Sequence, residues 1–229
     1  FRESLHQLGW AEGRNIRIDT RWPIPADIES MQRFAKELVA LQPDVILSHI
    51  TPTTRALLQQ TRTVPIVFAT VSDPVGSGFV TSFSQPGGNV TGFTSIGPTM
   101  PSKWLQLLKE FAPRIGRVAL LFNPATAPYA KFFLEPLKAV APSFGVEVIA
   151  APVRETSELE AVVSAQARSP NSGLIVTPDS FMDVHRVEIT SLAARYRVPA
   201  VYPFRQFAEV GGLLSYGNDQ IDNYRRAAV

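Results

Sequence analysis

The sequence predicts an α/β protein of two Rossmann-like parallel-sheet lobes joined by a hinge, on three observations. Short apolar runs that read as strands alternate with helical patterns along the whole chain, which is the signature of parallel sheets. The order of these elements repeats once, at an offset of roughly 130 positions. Residues 64–95 form the centre of the pattern: a strand, a turn, a Pro86-Gly87-Gly88-Asn89 break, and a second extended run whose exit reads as a hinge between lobes.

Taken in order, residues 1–8 predict a short amphipathic helix with Leu5 and Leu8 on one side, closed by Gly9. Residues 15–22 alternate apolar and polar through Ile16, Ile18 and Trp22, and predict a half-buried strand. Asp27 caps a helix whose apolar face is Ile28, Met31, Phe34, Ala35, Leu38 and Val39. Pro43-Asp44 breaks it before a strand over 45–48, and Thr51-Pro52 opens the next helix. Residues 64–70 follow a proline-punctuated turn and read as a strand buried on both faces. Asp73-Pro74 then marks a helix start, and residues 90–94 leave in extended form.

In the second half, residues 103–111 predict a helix with Trp104, Leu107 and Leu108 inward. A strand over 117–122 leads to a helix opened by Asn123-Pro124 and running to about Phe144. Strands are expected over 146–152, 173–177, 199–202 and 212–216, with helices over 155–168, from Pro178-Asp179 to about Tyr196, over 204–208, and after Asn218 or Asp219. Trp10, Trp22 and Trp104 fall on amphipathic elements and read as packing residues. The repeat pairs Gly9 and residues 15–18 with 145–149, 44–47 with 173–176, 62–68 with 197–202, and 89–93 with 212–216. The second unit starts with a strand and the first with a helix, so a strand is expected ahead of Phe1 and the chain reads as shortened at both ends.

Composition narrows the function. With 22 basic and 20 acidic residues and no basic cluster interleaved with aromatics, nucleic acid is not an expected partner. Without cysteine there is no disulfide, thiolate metal site or cysteine nucleophile, and the three histidines lack metal-ligand spacing. No apolar run approaches the ~20 residues that span a bilayer. Nucleophile-elbow, Walker and dinucleotide-binding motifs are missing, so no catalytic residue, metal or cofactor is assigned. His49 reads as a loop histidine.

What remains is the set of residues just past strands. Thr51, Asp73, Asn123 and Asp179 each adjoin a proline at an expected helix start beyond a strand's carboxyl end. In open parallel sheets ligands bind outside those ends, and helix N-termini there favour anions. Singly, each residue is an ordinary cap. Together they suit a small polar or zwitterionic ligand: Thr51 and Asn123 at its anionic end, Asp73 or Asp179 at its cationic end, Asp73 being the best candidate. Tyr202 and Tyr216, at strand ends, are candidates to stack on the ligand, with rim or core packing the ordinary alternative.

The strings Gly9-x-x-Glu12-Gly13-x-Asn15, Leu41-x-Pro43-Asp44-Val45-Ile46 and Val64-Pro65-Ile66-Val67 resemble a known family, as do Ser72-Asp73-Pro74-Val75…Pro86-Gly87-Gly88-Asn89-Val90-Thr91-Gly92 and Gly211-Gly212-Leu213-Leu214-Ser215-Tyr216-Gly217. It is the ABC-transporter substrate-binding family with a type I periplasmic-binding fold, which includes tryptophan/tyrosine-binding lipoproteins. The resemblance implies a first lobe of residues 1–93 with 218–229, a second of 94–217, and a ligand held in the cleft between them. It implies an amino acid, aromatic in some members, or a related carboxylate as ligand, and an inner-membrane ABC permease as partner. It further implies a periplasmic or lipid-anchored location and a monomer or weak dimer. It also carries Ser48, Thr51, Thr53, Thr70, Asp73, Asn123, Thr126, Asp179 and Tyr202 as ligand-facing residues. The alternative is a ligand-sensing effector domain of a transcription regulator or receptor; a third reading is an enzyme using two aspartates.

Overall fold

The computed structural model describes residues 1–24, 27–97 and 99–229. In chain order these form α1 (Arg2–Gln7), α2 (Ile28–Ala40), β1 (Ile46–Ser48), α3 (Thr51–Gln60), β2 (Ile66–Val71) and β3 (Val90–Thr94). Then come α4 (Met100–Phe111), β4 (Arg117–Phe122), α5 (Ala130–Val140), β5 (Glu147–Pro152), α6 (Leu159–Arg168) and β6 (Ser172–Val176). Last are α7 (Ser180–Val184), α8 (Arg186–Arg195), β7 (Ala200–Tyr202), α9 (Arg205–Glu209), β8 (Leu214–Ser215) and α10 (Gln220–Arg226).

Two compact units result: Phe1–Ser95 with Asp219–Val229, and Ile96–Asn218. The first holds a parallel sheet of order β1-β2-β3. Its core gathers Met31 and Ala35 of α2, Leu57 and Leu58 of α3, and Ile66, Phe68 and Val90 of the strands. The final helix α10 packs against β2, capped by Asp219, whose carboxylate accepts from the Ile221 amide at 2.9 Å. Gly92, at φ +151°, lets β3 lie close on β2: a Cβ there would sit 2.0 Å from the Phe68 carbonyl oxygen.

The second unit holds a five-stranded sheet of order β5-β4-β6-β7-β8, again parallel throughout. β4 and β6 are apolar and buried along most or all of their length, as central strands covered on both faces are. Trp104 is fully buried and donates from Nε1 to the Tyr216 carbonyl at 2.7 Å, tying α4 to the end of β8. The segments paired by the repeat become β1, β2 and β3 in one sheet and β6, β7 and β8 in the other, in the same spatial order.

Several expectations are corrected. Residues 15–22 form no ladder beyond a lone Glu12–Ile16 bridge, and Trp22 is 83% exposed. Alternation makes a strand only where a neighbour takes its backbone hydrogen bonds, and among the described residues none lies alongside. Trp10 is also exposed, so of the three tryptophans Trp104 alone packs inside. Residues 73–79 form turns, not a helix: Ser77 N bonds Asp73 O, but Gly76 and Gly78, the latter at φ +72°, stop propagation.

After Asn123 the chain turns for six residues before α5 starts at Ala130. Pro128 disfavours helical backbone at the residue before it, which keeps the helix from starting at Asn123. The predicted helix from Asp179 to Tyr196 is two, α7 and α8, meeting at His185. Residues 156–158 form a 3₁₀ turn ahead of α6.

Candidate functional site

In the first unit the carboxyl ends of β1, β2 and β3 carry hydroxyl side chains, most of them buried and bonded to one another. Ser48 Oγ lies 2.7 Å from Thr54 Oγ1 and 3.3 Å from Thr53 Oγ1. Both threonines also donate to the Ile50 carbonyl, at 3.1 and 2.9 Å. Thr51 is not a cap; it is the first residue of α3, and its hydroxyl accepts from Ser72 N and donates to Ser72 O, at 3.1 and 3.2 Å. Ser72 Oγ in turn lies 2.8 Å from Ser95 Oγ, joining the ends of β2 and β3.

The residue in the cap position is Ile50, at φ +57°, a conformation a β-branched side chain adopts only where its surroundings impose it. Its amide donates to Thr70 Oγ1 at 3.3 Å, so hydroxyls bond both the amide and the carbonyl of this residue. Asp73, half-buried and at φ +45°, accepts the Gly76 amide on Oδ1 at 2.8 Å. Its carboxylate thus closes a turn beside this hydroxyl cluster.

In the second unit Asp179 is 3% exposed and organises the ends of β4 and β6. Oδ2 accepts from the Asn123 amide at 2.7 Å; Oδ1 accepts from the Phe181 amide at 2.9 Å and, through a short hydrogen bond, from the Thr126 hydroxyl. Burial pushes the carboxyl up to about 6, and these three donors pull against it. Asn123 Oδ1 accepts from Ala125 N and Thr126 N, at 2.8 and 3.3 Å, while its Nδ2 donates to the Arg154 carbonyl. Asn123 therefore shapes a turn rather than capping a helix.

Of the ten predicted residues, the structure gathers Ser48, Thr53 and Thr70 about Ile50 in the first unit, with Thr51 and Asp73 on either side of Ser72 by bonding or sequence. Asn123, Thr126 and Asp179 come together in the second unit. Tyr202 is corrected: it is 1% exposed, stacks on Phe207 at 5.1 Å, and burial raises its phenol. Tyr216, 43% exposed just past β8, keeps an accessible ring. Asp179 already accepts from three protein donors through its two oxygens.

Sequence reasoning missed Thr54, Ser95 and Tyr224, named Ser72 only as part of the 70–73 loop, and read His49 as a loop histidine. Thr54 and Ser72 belong to strand-end loops the sequence already marked; Tyr224 carries no local signal, because its partners are 154 and 175 positions away. Among the described residues no group of three His, Cys, Asp or Glu side chains is placed to hold a metal ion.

Two parallel α/β units, each with a polar loop cluster at the carboxyl ends of its strands, are the architecture of type I periplasmic-binding proteins, a fold shared by solved structures similar to this chain. The chain belongs to the ABC transporter substrate binding protein family, which it matches over residues 1–228. It is 26% identical over 222 residues to a tyrosine-binding protein of Clostridioides difficile (strain R20291), covering 96% of this chain. It spans 62% of the length of that curated relative. A conserved domain protein of Vibrio cholerae gives a TM-score of 0.88 at 27% identity, over 99% of this chain and 75% of the other. The ABC domain of Streptococcus pneumonia, solved in complex with L-Trp, gives 0.88 at 24% identity over the same shares, a likeness of fold.

Proposed function

We propose that this chain is the solute-binding component of an ABC importer, taking a small amino acid, aromatic ones first, or a related carboxylate. The observation that carries the reading is the family match across residues 1–228, and the tyrosine-binding relative supports the ligand class. No helix among the described residues is long and apolar enough to cross a membrane, which agrees with a binding component that hands its ligand to a separate permease outside the cytoplasm.

Each unit, taken by itself, offers polar groups at the carboxyl ends of its strands. Asp73, half-buried beside the hydroxyl cluster, meets the ligand's ammonium group; the amides at the start of α3 and of the 123–126 turn favour its carboxylate. Tyr216 offers a ring to the side chain. Binding rather than turnover is the role of these groups.

A thermal-shift screen against the amino acids, simple aromatic acids and sugars tests this. A ligand at about 100 times its dissociation constant adds about 2.7 kcal/mol, which raises the midpoint by several degrees. The expected result is a shift with aromatic amino acids that Asp73→Ala abolishes. A screen flat for every amino acid and carboxylate overturns the ligand class.

A further inference from the structure

The second unit, taken by itself, contains a cavity of about 280 Å³. It is lined by Phe111 at the end of α4, Ala193 and Ala194 of α8, Ala200 and Tyr202 of β7, and Leu213. Residues 197–200 lead into β7 and residues 211–213 into β8, so the cavity lies at the amino ends of these strands. The cluster of Asn123, Thr126 and Asp179 lies at the other end of the same sheet. Phe111 and Leu213 are 58% and 51% exposed, apolar surface that no described residue covers.

Two polar groups in this lining are not used by the fold. Tyr202 is 1% exposed, its hydroxyl has no hydrogen-bond partner among the described residues, and burial alone raises its phenol. A buried tyrosine hydroxyl ordinarily finds a partner, and leaving it without one is costly. An added Cβ at Gly212 would lie 2.9 Å from Tyr202 Cε2, so the far side of the ring reaches the 211–213 loop that borders the cavity. Thr190, the other hydroxyl of the lining, is already engaged, donating to the Val187 carbonyl at 3.0 Å. The second unused group is Arg197, exposed, at φ +54°, and in no ion pair among the described residues. It is the one charged residue of the lining, which holds no Asp or Glu, so the cavity favours an anion.

An apolar cavity of about 150 Å³ takes a benzene ring, so this one has room for a ring with a short acid arm. We propose that the cavity is a second ligand site, for a single-ring aromatic monocarboxylate bearing a hydroxyl: the ring packs on Phe111, Tyr202 and Leu213, the carboxylate meets Arg197, and the ring hydroxyl accepts the Tyr202 proton. The site is independent of the amino-acid reading above, because none of its residues belongs to the carboxyl-end loops.

Methyl-detected ¹H–¹³C spectra of the full chain test it, in titrations with 4-hydroxyphenylacetate, with phenylacetate, which lacks the ring hydroxyl, and with 4-methylphenol, which lacks the carboxylate. The expected result is a saturable shift of the Ala193, Ala194, Ala200 and Leu213 methyls with 4-hydroxyphenylacetate, and binding about fivefold weaker for each of the other two. Tyr202→Phe keeps the ring and removes the advantage over phenylacetate, while the free protein stays as stable as wild type because no protein hydrogen bond is lost. Arg197→Gln removes the advantage over 4-methylphenol. Ala194→Phe, a change at an exposed helix position, fills the cavity and abolishes the shifts. Absence of shifts in wild type, or shifts confined to methyls of the carboxyl-end loops such as Val75 and Ala125, overturns the site. A wild-type order of preference retained in both Tyr202→Phe and Arg197→Gln overturns the ligand chemistry assigned to it.

Discussion

At the carboxyl end of the three-stranded sheet the buried polar groups are neutral hydroxyls that bond one another; at the same end of the five-stranded sheet a carboxylate, Asp179, gathers two backbone amides and a hydroxyl. Hydroxyls are donor and acceptor at once, so a cluster of them can be buried with its bonds made and no charge to desolvate. A carboxylate accepts only, and even three donors leave the Asp179 carboxyl raised to about 6. The loops of the second unit therefore depend on protonation in a way those of the first do not.

Backbone strain differs too. Gln42, Asn171 and Arg197 take positive φ just ahead of β1, β6 and β7, where a helix hands over to a strand and such residues are ordinary. Ile50 and Asp73, the other two non-glycine residues of this kind among those described, lie past strand ends in the first unit. Strain that no turn statistics explain accumulates where function is expected.

The largest effect that sharpens this contrast is Asp179→Ala. Removing the carboxylate strands the Asn123 amide, the Phe181 amide and the Thr126 hydroxyl in a buried site, and a loss of about 3 kcal/mol or more is expected in chemical denaturation. The pH profile is of similar size. The carboxyl titrates at about 6 in the fold against 3.8 ordinarily, so the unfolded chain releases its proton first. Its contribution is fully present below about pH 4 and is lost as pH rises through about 6, a fall of about 3 kcal/mol that Asp179→Asn flattens. A profile with no slope in that window in wild type would break the comparison.

Gly76→Ala comes next. Its Cβ would lie 2.0 Å from Asp73 Oδ2, forcing the carboxylate off the turn it closes; about 2 kcal/mol of stability and the ligand-induced thermal shift are expected to be lost together. Thr51→Val should be smallest, about 1 kcal/mol by denaturation and insensitive to pH, because it removes a neutral hydroxyl from the pair of bonds with Ser72. A pH-dependent loss in Thr51→Val would mean that the first cluster is charged after all.

What the sequence by itself determined is everything that depends on neighbours along the chain. The strand Arg117–Phe122, the caps Asp27 and Asp219, and the alternation that yields two parallel sheets are local matters of burial period and capping chemistry. So is the placing of Thr51, Asp73, Asn123 and Asp179 just past strands. Tertiary structure decided which of these side chains remain available: Asp179 was taken by Asn123 and Thr126, more than 50 positions away, and Thr51 by Ser72. It turned Tyr202 into the core against Phe207, and it brought Tyr224 to His49. The physical reason is common to Asp179, Thr51 and Tyr224. A hydrogen-bonding or aromatic side chain reveals its chemistry in the sequence, but its partner is chosen by packing between distant segments, and only the folded chain contains that choice.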